Sequence, residues 1–197
     1  EDTEETAVEI VTSRLKYPYK LTNSAKENYE EFLCAHMECA GRKYILEEKL
    51  VIDKKGIDEG VPLVITPIPY KDAKIILKSD ASIEIGENAE FVKLHKLSVT
   101  KEESVKGASV LDVNAKNFTL KDCSVNGGTI NINSDNVKIK NNKFDTADNA
   151  IILKNADSTI VSGNVFNNIS YDCMQITGNS ENTQVFNNTF NIAEIQS

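Results

Sequence analysis

The sequence predicts an all-β solenoid in which each turn of the chain contributes three short strands. One pattern behind this prediction is an aliphatic residue followed five positions later by a second apolar residue. It occurs in five segments: Leu94/Val99, Leu120/Val125, Ile139/Phe144, Val161/Phe166 and Val185/Phe190. Successive pairs end 26, 19, 22 and 24 residues apart, an irregular period that is typical of solenoid repeats.

A second pattern supplies the third strand of each turn. Two apolar residues flank one outward position in five segments: Ile83-Glu84-Ile85, Leu111-Asp112-Val113, Ile130-Asn131-Ile132, Ile151-Ile152-Leu153 and Met174-Gln175-Ile176. Alternation with a period of two residues is typical of short, half-buried strands. A β-sandwich fits less well, because a sandwich has no reason to repeat one spacing at one register.

A column of asparagines is the third observation. Asn142, Asn164 and Asn188 each lie two residues before the end of their pair, and Cys123 takes this place in an earlier repeat. We expect the asparagines to superpose at one bend and to adopt the positive φ that asparagine tolerates. Stacked about 4.8 Å apart, their carboxamides could also hydrogen-bond along the column.

These repeats resemble a known fold family. The rungs of right-handed parallel β-helices in the pectate-lyase-like superfamily are similar to Val137-Lys-Ile-Lys-Asn-Asn-Lys-Phe144, Thr159-Ile-Val-Ser-Gly-Asn-Val-Phe166 and Thr183-Gln-Val-Phe-Asn-Asn-Thr-Phe190. Residues 62–85 are similar to the first coils of chondroitinase-B-like and Bacteroidetes-type surface β-helices. The resemblance implies a right-handed parallel β-helix over about residues 24–195. Enzymes, adhesins and phage proteins share this fold, so it implies no activity by itself.

The first residues are expected to precede and to cap the coil. Residues 1–9 carry five carboxylates, which predicts an acidic tether and lead-in segment over residues 1–23. Ser24-Ala-Lys-Glu27 is a capping-box pattern, so an amphipathic helix is predicted over about residues 25–38. Such a helix is the expected cover for the first rung of a solenoid. Residues 24–197 are therefore predicted to form one capped domain.

The C-terminal rung is expected to need a cover as well. Between Tyr171 and Ile195 the last rungs would expose strand edges and apolar interior. This predicts self-association or a downstream domain at that end, or residues 192–197 folded over the rung as a plug.

Composition limits the function classes. The chain has 197 residues, 40% of them hydrophobic, a net charge of −8 and no apolar run long enough to span a membrane. An acidic chain is a poor binder of nucleic acid. The four cysteines show no metal-ligand spacing, so neither a metal site nor a cofactor is predicted. The acidic tether and the resemblance predict an exported protein, secreted or at the cell surface.

Four acidic residues are the candidates for catalysis. Glu84 and Asp112 are predicted to lie in one outward column, where two carboxylates about 5 Å apart could act as acid and nucleophile in glycoside hydrolysis. Tyr171-Asp-Cys-Met-Gln175 is similar to the Asp-Asp-Cys segment of polygalacturonases, which adds Asp172, and Asp148 one rung below it. Only one of the two adjacent aspartates is present, and the Gly-His-Gly and Arg-Ile-Lys motifs of that family are missing.

Uronate lyases use an arginine or lysine base in the family picture; arginine is scarce here, and a lysine-dependent site stays open. The chain has only Arg14 and Arg42, and neither belongs to the regular coils. Short turns predict little wall for a cleft. A polysaccharide lyase or glycoside hydrolase acting on uronate-containing glycans, or a fragment of one, therefore stays the alternative function.

A basic column leads to the preferred function. The outward positions that flank three of the repeated aliphatic residues are Lys93, His95, Lys121, Lys138 and Lys140. Cations at strand spacing could follow a polyanionic glycan, with modest, salt-screened contacts; the alternative is a solvated face. The sequence thus predicts a secreted or cell-surface, non-catalytic module for binding or assembly, directed to acidic polysaccharide.

Overall fold

The computed structural model describes residues 5–6, 43–46, 49–53, 55–60, 62–66, 73–102 and 107–191. These residues form twenty short strands and no helix. In chain order the strands are β1 (Glu5–Thr6), β2 (Lys43–Leu46), β3 (Leu50–Ile52), β4 (Leu63–Ile65), β5 (Ala73–Leu77), β6 (Ile83–Ile85), β7 (Val92–His95), β8 (Leu97–Lys101), β9 (Ser109–Val113) and β10 (Thr119–Lys121). They continue with β11 (Ser124–Asn126), β12 (Thr129–Ile132), β13 (Lys138–Lys140), β14 (Lys143–Ala147), β15 (Ile151–Lys154), β16 (Ile160–Ser162), β17 (Val165–Ile169), β18 (Met174–Thr177), β19 (Gln184–Phe186) and β20 (Thr189–Asn191).

The strands form three parallel sheets through which the chain passes in a fixed order. The first sheet has the order β3-β6-β9-β12-β15-β18, the second β4-β7-β10-β13-β16-β19, and the third β1-β2-β5-β8-β11-β14-β17-β20. From β3 onward each turn adds one strand to the first, the second and then the third sheet. This is a parallel β-helix of six turns within the described residues, and the predicted all-β solenoid with three strands per turn is confirmed.

The repeated sequence patterns mark the interior. In each pair of apolar residues spaced five positions apart, the first residue points inward from the second sheet and the second points inward from the third. Ile139 and Phe144 are an example, and both side chains are buried. The alternating segments form the first sheet, where Ile130 and Ile132 are buried and Asn131 faces outward. Because the same spacing recurs, equivalent residues of successive turns stack into continuous apolar columns.

Aromatic side chains fill one of these columns. The ring of Phe166 is fully buried and stacks on Phe144 on one side and on Phe190 on the other, with ring centroids 5.1 Å apart in both pairs. That distance is close to the strand spacing. One aromatic residue per turn therefore packs against the next along the axis.

The bend between the second and third sheets differs from the prediction in one respect. The residue before each asparagine has the positive φ, and so do its equivalents in two earlier turns. These residues form a column with φ of 54–68°: Lys96, Asp122, Asn141, Gly163 and Asn187. The expectation that Asn142, Asn164 and Asn188 adopt positive φ is wrong. The left-handed residue turns the chain outward at the corner, so the next side chain points into the interior, where it needs hydrogen-bond partners.

The asparagines find these partners in one another. The side-chain Nδ2 of Asn142 donates to Oδ1 of Asn164 at 3.0 Å, and Nδ2 of Asn164 donates to Oδ1 of Asn188 at 3.0 Å. Each Oδ1 also accepts a backbone N–H from the equivalent residue of the preceding turn at 2.9 Å, and for Asn142 that residue is Cys123. The predicted hydrogen-bonded column is present, and we call these three residues the asparagine ladder.

Some predictions fall on the chain outside the described ranges. The cap helix at about residues 25–38 lies there, as do most of the acidic tether and residues 192–197. Within the tether, Glu5 and Thr6 pair in parallel with Tyr44 and Ile45 of β2. None of the described residues belongs to a helix long and apolar enough to cross a membrane.

Candidate functional site

The five predicted basic residues all lie on the outer face of the second sheet, which we call the basic face. Lys93 on β7 and Lys138 on β13 share one column with Thr119 between them. His95, Lys121 and Lys140 are direct neighbours on three successive strands and form a second column. The two are called the Lys93 column and the His95 column below.

Acidic residues neutralise part of this face. The carboxylate of Asp122, at the corner next to the His95 column, lies 3.0 Å from His95 Nε2 and 3.8 Å from Lys121 Nζ. Glu59 forms an ion pair with Lys138. Among the described residues, no ion pair involves Lys93 or Lys140.

Lys93 is half-buried in the basic face. Burial lowers the pKa of its ammonium group, and the charge of Lys121 lowers it further, while the charge of Asp122 opposes both effects. The cost of burying one cation beside another is relieved when an anion approaches. An anionic ligand would supply that partner.

His95 links two strands and the adjacent corner. Its Nδ1 lies 3.3 Å from the hydroxyl of Thr66, and its Nε2 lies 3.0 Å from Asp122 Oδ2. Burial lowers the pKa of His95, with the hydrogen bond to Asp122 acting in the opposite direction. The neutral ring that fits both contacts donates Nε2–H to Asp122 and accepts the Thr66 hydroxyl hydrogen at Nδ1.

A cleft of about 370 Å³ runs beside the Lys93 column. Its floor includes Lys93, Thr119 and Lys138, and its opposite wall is formed by Glu59 and Pro62, from the connection between β3 and β4. The expectation that the turns leave little wall for a cleft is wrong here, because this connection is longer than the others that join the first sheet to the second, and its Glu59 reaches Lys138 on the second sheet.

A second cleft, of about 520 Å³, lies where the second and third sheets meet. Ser98 and Ser124 line its floor, and three further lysines, Lys74, Lys96 and Lys143, surround it. These lysines were missed from the sequence, although two of them alternate with apolar residues as outward positions of third-sheet strands. They extend the positive charge from the basic face around the corner of the coil.

Glu84 and Asp112 are neighbours in one outward column of the first sheet, as predicted, and Asn131 follows them. Both carboxylates have partners. Glu84 Oε2 accepts Lys49 Nζ at 2.8 Å, and Asp112 Oδ1 accepts Asn131 Nδ2 and the hydroxyl of Ser109, each at 2.8 Å. Because these contacts satisfy the carboxylates within the sheet, nothing in the geometry favours a catalytic pair, and that role stays a prediction.

Asp148 and Asp172 lie in equivalent connections between the third and first sheets, on successive turns. The backbone N–H of Asp172 donates to Asn149 Oδ1 at 3.2 Å, and the backbone carbonyl of Asp148 accepts the N–H of Tyr171 at 2.9 Å. The structure thus brings the two connections together on one side of the coil.

 Neither aspartate lines one of the two clefts described above.

The C-terminal rung exposes residues that are buried in the other turns. Ile176, Val185 and Phe190 occupy the inward columns of the three sheets, yet 44–49% of each side chain is exposed. Phe186 and Tyr171 are exposed beside them. The predicted exposure of apolar interior is present, while a partner or a downstream domain at this rung stays a prediction.

No group of acidic, histidine or cysteine side chains in the described part of the chain could hold a metal ion. Cys123 is buried next to the asparagine ladder, where its Sγ contacts the carbonyl oxygens of Lys121 at 3.3 Å and Leu94 at 3.6 Å. Burial raises the pKa of this thiol to about 11. Cys123 is therefore an unreactive packing residue.

Comparisons with protein-family models, curated proteins and solved structures found no match. No relative therefore indicates a function or a superfamily for this chain, and the chain's own residues are the basis for both.

Proposed function

We propose that this protein is a non-catalytic, right-handed parallel β-helix module of the pectate-lyase-like type, secreted or displayed at the cell surface, that binds an acidic polysaccharide along its basic face. The observation that carries the proposal is the register of the His95 column. His95, Lys121 and Lys140 stand side by side on three consecutive strands of a chain whose net charge is −8.

The spacing of these residues suits a polymer. Neighbouring strands lie about 4.8 Å apart, and a sugar residue in an extended polysaccharide advances by a similar length. A chain that runs along the axis can therefore present one sugar to each rung. Each exposed contact is weak and screened by salt, so binding would depend on several contacts made together.

The clefts on both sides of the His95 column support the same ligand. Lys93 and Lys138 line one cleft, and Lys74, Lys96 and Lys143 line the other. Hydroxyl groups of Thr119, Ser98 and Ser124 lie between the cations. Cations interspersed with hydroxyls can bind carboxylates and sugar hydroxyls together.

The test is retention on immobilised polygalacturonate at increasing salt. In the double variant Lys121→Gln/Lys140→Gln we expect affinity to fall roughly three- to tenfold, because two exposed charge contacts are lost. Lys78→Gln/Lys154→Gln is the matched control, since it removes the same charge from outside the basic face. Equal retention of both variants would contradict the proposal.

The same polymer separates binding from catalysis. A lyase or a glycoside hydrolase releases unsaturated or reducing ends from polygalacturonate, whereas a binding module only retains it. We expect no release over prolonged incubation with the wild-type chain. Release that is lost in Glu84→Gln or Asp112→Asn would instead establish the enzymatic alternative.

A further inference from the structure

The connection between β3 and β4 is anchored beside the basic face. The backbone N–H of Gly56 donates to Glu90 O at 2.9 Å, and that of Leu63 donates to Phe91 O at 2.8 Å. A Cβ at Gly56 would lie 2.6 Å from both Leu63 N and Phe91 O, so only glycine fits this close approach. The base of the connection is therefore held against the corner from which β7 begins.

The tip of this connection reaches across the sheet. Gly60 N donates to Asp58 Oδ1 at 2.8 Å and closes a tight turn around Glu59. Glu59 then pairs with Lys138 on β13, although β13 lies three strands beyond β4 in the second sheet. The tip of the connection thus reaches as far as β13, which lies about 14 Å from β4 at ordinary strand spacing.

Glu59 stays ionised and exchangeable in this position. The hydrogen bond and charge of Lys138 lower its pKa, and the charge of Lys140 contributes in the same direction. The Glu59 side chain is 77% exposed, and ion pairs of exposed side chains contribute little stability. An external anion can therefore compete for Lys138.

We propose that Glu59 is a specificity-determining residue that closes Lys138, at one end of the Lys93 column, to ligand anions. Its carboxylate occupies the place on Lys138 that a carboxylate of the polymer would take. A bound polyanion then reaches Lys138 only by displacing Glu59, whereas the His95 column stays open to it. The inference rests on the proposed polysaccharide binding and assigns a role to a residue outside the five basic ones.

The experiment compares Glu59→Gln with Glu87→Gln in binding to polygalacturonate at low salt. Glu87 is an exposed glutamate in the turn before β7, without an ion pair to another described residue, so its substitution makes the same change in net charge. We expect Glu59→Gln to tighten binding roughly threefold, as expected for one added exposed charge contact, and Glu87→Gln to have little effect.

A double variant tests whether the gain passes through Lys138. In Glu59→Gln/Lys138→Met the affinity should return to about the wild-type value, because the lysine that was freed is no longer present. A gain that persists without Lys138, or an equal gain in Glu87→Gln, would overturn the role of Glu59.

The two proposals fail in different ways. If wild-type protein binds and Lys121→Gln/Lys140→Gln weakens binding, but Glu59→Gln matches the wild type, only the assignment of Glu59 is wrong. If neither the wild type nor Glu59→Gln is retained on polygalacturonate at low salt, the proposed function is wrong and the role of Glu59 with it. Retention of Glu59→Gln alone would support the closing role directly.

Discussion

The side-chain oxygen of Asn164 accepts two hydrogen bonds from the same residue of the preceding turn, the backbone N–H of Asn142 at 2.9 Å and its Nδ2 at 3.0 Å. Asn164 in turn donates its Nδ2 to Ile139 O at 2.9 Å. One buried carboxamide thus satisfies donors and acceptors from two turns. The ladder joins successive turns at the corner, where the backbone N–H groups of Asn142 and Asn164 donate to a side chain of the next turn instead of a backbone carbonyl.

Replacing Asn164 by alanine is expected to destabilise the fold by about 3 kcal/mol or more, since each buried donor left without a partner costs about 1–3 kcal/mol. Chemical denaturation measures the change in the free energy of unfolding. Asn126→Ala is the control, because Asn126 is exposed at the end of β11. Similar small losses in the two variants would show that the ladder contributes no net stability.

Replacing Cys123 by asparagine should extend the ladder by one turn. The Sγ of Cys123 contacts Leu94 O at 3.6 Å, and an asparagine Nδ2 would donate to the same carbonyl, as Asn142 Nδ2 donates to Leu120 O. We expect a gain of about 1 kcal/mol, the usual net contribution of a hydrogen bond. Cys173→Asn, away from the ladder, should give no gain, and a loss in Cys123→Asn larger than in Cys173→Asn would contradict this prediction.

Replacing Phe166 by alanine should cost roughly 3 to 5 kcal/mol, because it opens a cavity between Phe144 and Phe190. Phe186 is the matched control, since it is 47% exposed and its replacement by alanine should cost less than about 1 kcal/mol. Equilibrium unfolding in denaturant measures both. Equal costs would mean that the aromatic column is not a tightly packed part of the core.

Alanine substitutions at Gly163 and Gly107 should distinguish the cost of backbone strain from the cost of steric overlap. Both have positive φ, 68° and 75°, but a Cβ at Gly163 would lie 2.2 Å from Asn141 Oδ1, whereas a Cβ at Gly107 would meet nothing within 4 Å. Gly107→Ala should cost about 1–2 kcal/mol from the left-handed backbone alone. Gly163→Ala should cost about 1–3 kcal/mol more, because Asn141 must move. Equal melting temperatures for the two variants would show that Asn141 moves aside freely.

His95 should make both the stability of the fold and the binding of a polyanion depend on pH. Burial lowers its pKa below the ordinary value of about 6.5, so the folded protein binds fewer protons than the unfolded chain. The stability that the neutral ring contributes is complete above about pH 6.5 and is lost as pH falls through the folded-state pKa.

The added charge would join Lys121 and Lys140, with Lys93 and Lys96 also facing the ring and Asp122 opposing them. We therefore expect polygalacturonate affinity to rise below about pH 6 in the wild type and to rise less in His95→Gln. The pH dependence of the dissociation constant checks this. Identical profiles for the two proteins would exclude His95 from the effect.

Much of the outward chemistry could be assigned from the sequence because strand alternation is strict. Once Leu120 and Ile139 are placed inward, their neighbours Lys121, Lys138 and Lys140 must point outward. The same alternation put Glu84 and Asp112 in one column. The ion pair of Glu84 with Lys49 and the hydrogen bond from Ser109 to Asp112 could not be foreseen. Alternation relates neither Lys49 nor Ser109 to these carboxylates.

Lys101 shows the limit of this reasoning. Alternation along β8 places it on the inward side, and it is buried, with Nζ donating to the carbonyl oxygens of Ala81 and Ser109. Burial lowers its pKa. The sequence gives no sign of these partners, because Ala81 lies 20 residues earlier in the chain, in the preceding turn of the coil.

The sequence by itself determined the repeating coil, the inward columns and the position of the asparagine ladder, because period-two alternation and a recurring spacing are local properties of the chain. Only the tertiary structure decided which residue takes the positive φ at each corner and where the clefts open. It also decided that Glu59 meets Lys138, 79 residues away in the chain. Such contacts depend on how a long connection folds back over stacked turns, and no local periodicity encodes that path.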